Sequence, residues 1–82
     1  MILISHRGNL DKINFDDENK PDYILAAIEL GYNVEIDLWV VNKKLFLGHD
    51  YGKFAIDEKF LKENEKKLWI HAKNDDALFF FK

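Results

Sequence analysis

The sequence predicts an α/β fold, and three observations predict it. Val34, Ile36, Leu38 and Val40 alternate with Glu35, Asp37 and Trp39 in the period-two pattern of a strand. Tyr23, Ile24, Ala27, Ile28 and Leu30 form one apolar stripe at helical spacing behind Pro21. Short apolar runs and amphipathic stretches then recur in the order strand, helix, strand with a hairpin return, helix, strand, helix. Such alternation implies parallel strands joined by right-handed crossovers. The 82 residues make one domain, 1–82.

Each element has its own local reason. Ile2 to Ile4 reads as a first buried strand that ends at Ser5-His6-Arg7-Gly8, and a polar, acidic loop follows over 9–19. Pro21 suits a first helical position with Asn19 or Lys20 at the cap, and Gly31 is placed to end that helix in a left-handed conformation. After the strand over 34–40, Asn42-Lys43-Lys44 is a tight polar turn, and Leu45-Phe46-Leu47 returns as a strand stopping at Gly48-His49-Asp50. Asp57 caps a charged helix that runs to about Lys66 and packs through Phe60 and Leu61. Leu68-Trp69-Ile70 is a further strand, leading to His71-Ala72-Lys73-Asn74. Asp75 or Asp76 then opens a helix whose core face is Ala77, Leu78 and Phe81.

Composition narrows the function. With 48% hydrophobic and 33% charged residues the chain is globular rather than disordered. A net charge of −3 with interspersed signs supplies no basic footprint for nucleic acid. The lack of cysteine excludes a disulfide framework and a thiolate metal site. The apolar start meets His6 and Arg7 too soon for a signal peptide, and no apolar run approaches a membrane span. The expected location is cytoplasmic.

Glu35 and Asp37 are two apart on one strand, so they project side by side, roughly 6.5–7 Å apart along the chain. Two like charges at that spacing repel unless water or a cation offsets them, and a hard divalent cation is a common reason to place such a pair on an ordered strand. A solvated polar face on an antiparallel edge strand is the alternative reading. His6 with Arg7, Glu35 with Asp37, His49 with Asp50, and His71 with Lys73 all fall at the carboxyl ends of the predicted strands. In parallel α/β folds that end of the sheet is where ligands bind. A lone histidine there is ordinarily a hydrogen-bonded structural residue, but all three histidines of the chain share this edge with the acid pair.

In order, His6-Arg7-Gly8, Glu18-Asn19, Glu35-x-Asp37, Gly48-His49-Asp50 and a strand ending Ala72-Lys73 resemble the glycerophosphodiester phosphodiesterase family, within the phospholipase-C-like phosphodiesterases. The resemblance spans nearly the whole chain. It implies a TIM barrel, metal-dependent hydrolysis of a small phosphodiester, and a divalent ion, Mg²⁺ or Ca²⁺. On this resemblance His6 and His49 are the catalytic acid–base pair, Arg7 and Lys73 hold the phosphate, and Glu35 and Asp37 bind the metal. Glu18 helps hold the metal or its loop. His71 stands where the family usually has a glutamate, and imidazole suits transition metals better than Mg²⁺ or Ca²⁺.

A full (β/α)₈ barrel needs ~250 residues. This sequence supplies about three βα units with a β-hairpin after the second strand, the N-terminal part of an incomplete barrel. It therefore predicts either a missing C-terminal barrel half or self-association through the open sheet. The alternative to an enzyme is a non-catalytic fragment or remnant that binds metal or phosphate, or associates with itself.

Overall fold

A nine-residue strand, Asn33–Val41 (β2), organises the sheet of the computed structural model, which describes residues 3–10 and 16–80. In chain order the elements around it are β1 (Ile4–His6), α1 (Pro21–Glu29), β3 (Lys44–Leu47), β4 (Phe54–Ile56), α2 (Glu58–Glu63), β5 (Leu68–Ala72) and α3 (Asp75–Phe80). β5 pairs in parallel with residues 34–38 of β2. The opposite edge of β2 carries β1 in parallel at residues 33–35 and then β3 antiparallel at residues 38–41. β4 lies antiparallel beyond β3. The α/β class, the two parallel pairings and the hairpin after the acidic strand are therefore all present.

Local chemistry explains the boundaries. α1 begins at Pro21 with Lys20 as its N-cap, and no side chain supplies the cap hydrogen bond. It ends in a Schellman motif, with Gly31 at φ 97°, Gly31 N–H donating to Ile28 O at 2.9 Å and Tyr32 N–H to Ala27 O at 3.1 Å. Asn42 and Lys43, at φ 52° and 64°, form the two-residue turn between β2 and β3. Both positive angles match the right-handed twist of the strands they join. Asp57 caps α2 by accepting from Phe60 N–H at 2.9 Å.

The helices supply one core. Ile24 and Ala27 of α1, Leu61 of α2 and Ala77 of α3 pack with Val34, Ile36, Leu38 and Val40 of β2, and with Leu45, Leu47 and Leu68 from its neighbours. By strand register the opposite face of the sheet bears Ile4, His6, Glu35, Asp37, Trp39, Trp69 and His71. That second face positions the site.

Several expectations need correction. The first strand is Ile4–His6, and its apolar residues are not buried: Leu3 is 50% and Ile4 47% exposed, while Ser5 points into the core side. The register puts Ile4 beside Asn33 on the face opposite the one that the described helices pack against. Leu30 and Leu78 are likewise exposed, because Leu30 lies in the C-cap of α1 and Leu78 on the outer side of a helix that buries Ala77. Phe81 lies outside the described residues, as does Ile2. α2 stops at Glu63, short of Lys66, where Asn64 turns its carboxamide back onto Phe60 O at 2.8 Å. Asn74, rather than Asp75 or Asp76, caps α3 by accepting from Ala77 N–H at 3.0 Å. The same carboxamide bonds both Val40 N–H and Val40 O, continuing the edge of β2 past the end of β5.

Candidate active site

Asp37 lies at the centre of the second face and is fully buried. Such a carboxylate is tolerable only with charged and hydrogen-bonding partners. Its Oδ2 lies 2.8 Å from Arg7 Nε, 3.7 Å from His49 Nδ1, and accepts from Asn19 Nδ2 at 3.0 Å. Its Oδ1 lies 3.2 Å from His71 Nδ1. Glu35, its neighbour on the same face, pairs with His6 Nε2 at 3.0 Å. The three strand ends and the β3–β4 loop thus bring His6, His49 and His71 around the two acids.

Arg7 is held inside this cluster. Its backbone is left-handed, at φ 58°, which turns the chain from β1 toward Glu18. Its Nη1 lies 3.0 Å from Glu18 Oε1, and its side chain is 13% exposed. The Nε–H is not aligned with Asp37 Oδ2, so that short contact is one of charge and the buried Nε has no hydrogen bond among the described residues. Glu18 has both oxygens engaged, Oε2 by Asn9 Nδ2 at 2.9 Å, and Tyr23 OH donates to Asn9 Oδ1 at 3.2 Å. Gly8, at φ 91°, lets this turn lie against Tyr23: a Cβ there would approach Tyr23 Cδ2 to 2.6 Å.

Each residue singled out in the sequence has a definite place. His6, Glu35, Asp37, His49, His71 and Arg7 form one contiguous group. Glu18 belongs to the arginine and the loop rather than to the acid pair. Lys73 follows β5 and joins through its backbone, with its N–H donating to Leu38 O at 2.8 Å. His49 sits in an open loop, half exposed, with Nε2 3.8 Å from Asp50 Oδ1. A cleft of about 120 Å³ beside it is lined by Glu18, Gly48, Asp50, Tyr51 and Lys53.

The chemistry of the donors suits a cation and an anion side by side. Glu18 and Asp37 supply two carboxylates beside the guanidinium of Arg7, and Glu35 adds a third next to His6. Glu35 and Asp37 Oδ1 face the histidines rather than the arginine. Among the described residues no three ligating groups close into a ready-made metal cage. A cation here would rest on Glu35 and Asp37 Oδ1, with His71 alongside and water completing its shell.

The sequence offers Asn19 as a candidate cap for α1, yet Lys20 holds that position, and Asn19 is instead fully buried with its carboxamide bonded to both the peptide N–H and the carboxylate of Asp37. The available signal was an asparagine in a loop, where that residue tolerates a left-handed backbone and forms local hydrogen bonds. Nothing in the sequence pointed to its partner 18 residues away. Comparison with family models, with curated proteins and with solved structures returns no match for this chain.

Proposed function

We propose that this chain carries the site of a metal-dependent phosphodiesterase acting on a small, glycerophosphodiester-like substrate. On this reading β1, β2 and β5 with their helices are the first βα units of a (β/α)₈ barrel. The observation that carries the proposal is the convergence of all three histidines on two adjacent carboxylates, one of them fully buried, at one end of parallel strands.

Hydrolysis of a phosphodiester forms a new P–O bond to water and breaks the bond to one alcohol. One imidazole takes the proton of the attacking oxygen, and a second returns a proton to the departing alkoxide. His6 and His49 serve as this pair. Each has a half-exposed ring near a carboxylate, Glu35 at 3.0 Å from His6 and Asp37 at 3.7 Å from His49. Glu35 and Asp37, with His71 beside them, would hold a divalent ion, which would supply positive charge against the phosphoryl oxygens. Arg7 contributes positive charge next to that position, and Lys73, just past the end of β5, is the second cation assigned to the phosphate on this reading.

The experiment is hydrolysis of glycerophosphocholine followed by ³¹P NMR with Mg²⁺, Ca²⁺, Mn²⁺ or Zn²⁺ present. His6→Ala and His49→Ala are each expected to lower turnover by at least about 100-fold while the thermal midpoint stays close to wild type, since both rings are half exposed. Retained turnover in either variant assigns that histidine to structure. A second reading is favoured by Ile4 and Trp69, 47% and 51% exposed on the same face: a module that binds cation or phosphate and works by association. Cation binding with no turnover in wild type under any of these conditions favours that reading.

A further inference from the structure

The carboxamide of Asn19 and the peptide and carboxylate of Asp37 form a reciprocal pair. Asn19 Nδ2 donates to Asp37 Oδ2 at 3.0 Å, and Asp37 N–H donates to Asn19 Oδ1 at 2.9 Å. Both residues are fully buried. Asn19 is itself pinned, because its N–H donates to Arg7 O at 3.0 Å and its backbone sits in the left-handed region at φ 66°. Asparagine accepts that conformation more readily than most residues. The carboxamide therefore arrives from a fixed direction.

A carboxylate on a strand turns readily about its terminal torsion, since that torsion has only broad preferences. Two hydrogen bonds with one rigid amide, one accepted from the strand's own N–H and one donated to Oδ2, remove that freedom. They commit Oδ2 to the side of Arg7 and His49, and leave Oδ1 to His71.

We infer that Asn19 is the positioning residue of the site: it sets which oxygen of Asp37 faces His71 and the cation position and which faces Arg7. It does not touch the reacting atoms. The inference deepens the phosphodiesterase reading and rests on it for its consequence in turnover, but the orientation of Asp37 is measurable without any reaction.

The test exchanges the two groups. Asn19→Asp with Asp37→Asn keeps the net charge and nearly the side-chain volumes, and it allows a reciprocal pair of hydrogen bonds, the amide at 37 donating to the carboxylate at 19 and that carboxylate accepting from the peptide N–H of 37. It moves the carboxylate off the strand, away from His71. The two single variants and the double variant are compared by thermal denaturation and by ¹⁵N NMR of the imidazole rings at fixed pH, without metal. The double variant is expected to recover most of the stability that the singles lose, the signature of directly coupled partners. Its His71 and His49 ring signals should shift from wild type, while those of His6, which pairs with Glu35, stay in place. Its turnover should be as low as that of Asp37→Asn.

Wild-type His71 signals in the double variant would overturn the inference, because the place of the carboxylate would then not matter to that ring. So would a double variant no more stable than Asp37→Asn, because the pair would then not be reciprocal. Displacement of all three histidines alike would also overturn it, by showing a general structural role. If the wild-type chain hydrolyses no phosphodiester, the reading of the function fails, and the stability and ring signals still decide the role of Asn19.

Discussion

Asp37→Ala is expected to lower the stability of the chain by about 3–5 kcal/mol, the cost of removing one partner from a buried ionic group. The guanidinium of Arg7, 13% exposed, would keep Glu18 but lose the carboxylate beside its Nε. Asn19 would lose the acceptor for Nδ2 while remaining fully buried. Small domains are stable by only about 5–15 kcal/mol in total, so this single change removes a large share. Asp37→Asn keeps the volume and one acceptor oxygen, and its loss should be smaller. Urea denaturation of the three proteins measures the difference. A loss below about 1 kcal/mol for Asp37→Ala would show that the buried carboxylate is not the centre of the network.

Gly48→Ala is expected to be nearly as damaging, for a steric reason. A Cβ on Gly48 would overlap the carbonyl oxygen of Tyr51 and lie 2.9 Å from Lys53 N. Both obstacles are backbone, so no rotamer change relieves them. The glycine is also fixed from both sides: its N–H donates to Asp37 O at 3.1 Å and its carbonyl accepts from Trp39 Nε1 at 2.7 Å. The loop must therefore rebuild, at about 3 kcal/mol, the upper end for overpacked sites. For a domain of this size that lowers the thermal midpoint by at least about 10 °C. His49 is the next residue, so turnover should fall as well. A midpoint within two or three degrees of wild type would mean that the β3–β4 loop gives way without cost.

Much of this arrangement is legible in the sequence because the determinants are local. The period-two run fixes which side of β2 each residue faces, and Pro21 and Gly31 bracket α1 at its observed ends. Asn42 and Lys43 make the turn because their neighbours on both sides are strand-forming. β4 was not legible: three residues, Phe54–Ile56, are too few to display a period, and they become a strand only because β3 offers them an edge. The exposure of Ile4 was not legible either, since an apolar run reads as buried whether or not a layer covers it.

The site divides in the same way. The strand-end histidines and the acid pair are read from spacing, because register places them. Partnerships across the chain are not. Glu18 carries the same charge as Glu35, and only the fold shows that its oxygens are committed to Arg7 and Asn9. Asn19 looks like a loop residue, and only its position against β2 reveals what it holds.

The central claim is that Glu35 and Asp37 share one face in order to bind a divalent cation, and titration calorimetry tests it most directly. Glu35→Gln is the informative variant, because the Glu35 side chain is partly exposed and pairs with the exposed ring of His6, so the fold should survive the change. Wild type is predicted to bind at least one of Mg²⁺, Ca²⁺, Mn²⁺ and Zn²⁺ at a single site, and Glu35→Gln to bind it at least about tenfold more weakly, a change of about 1.4 kcal/mol. Equal affinity in the two proteins, or no binding heat with any of the four ions, would contradict the account.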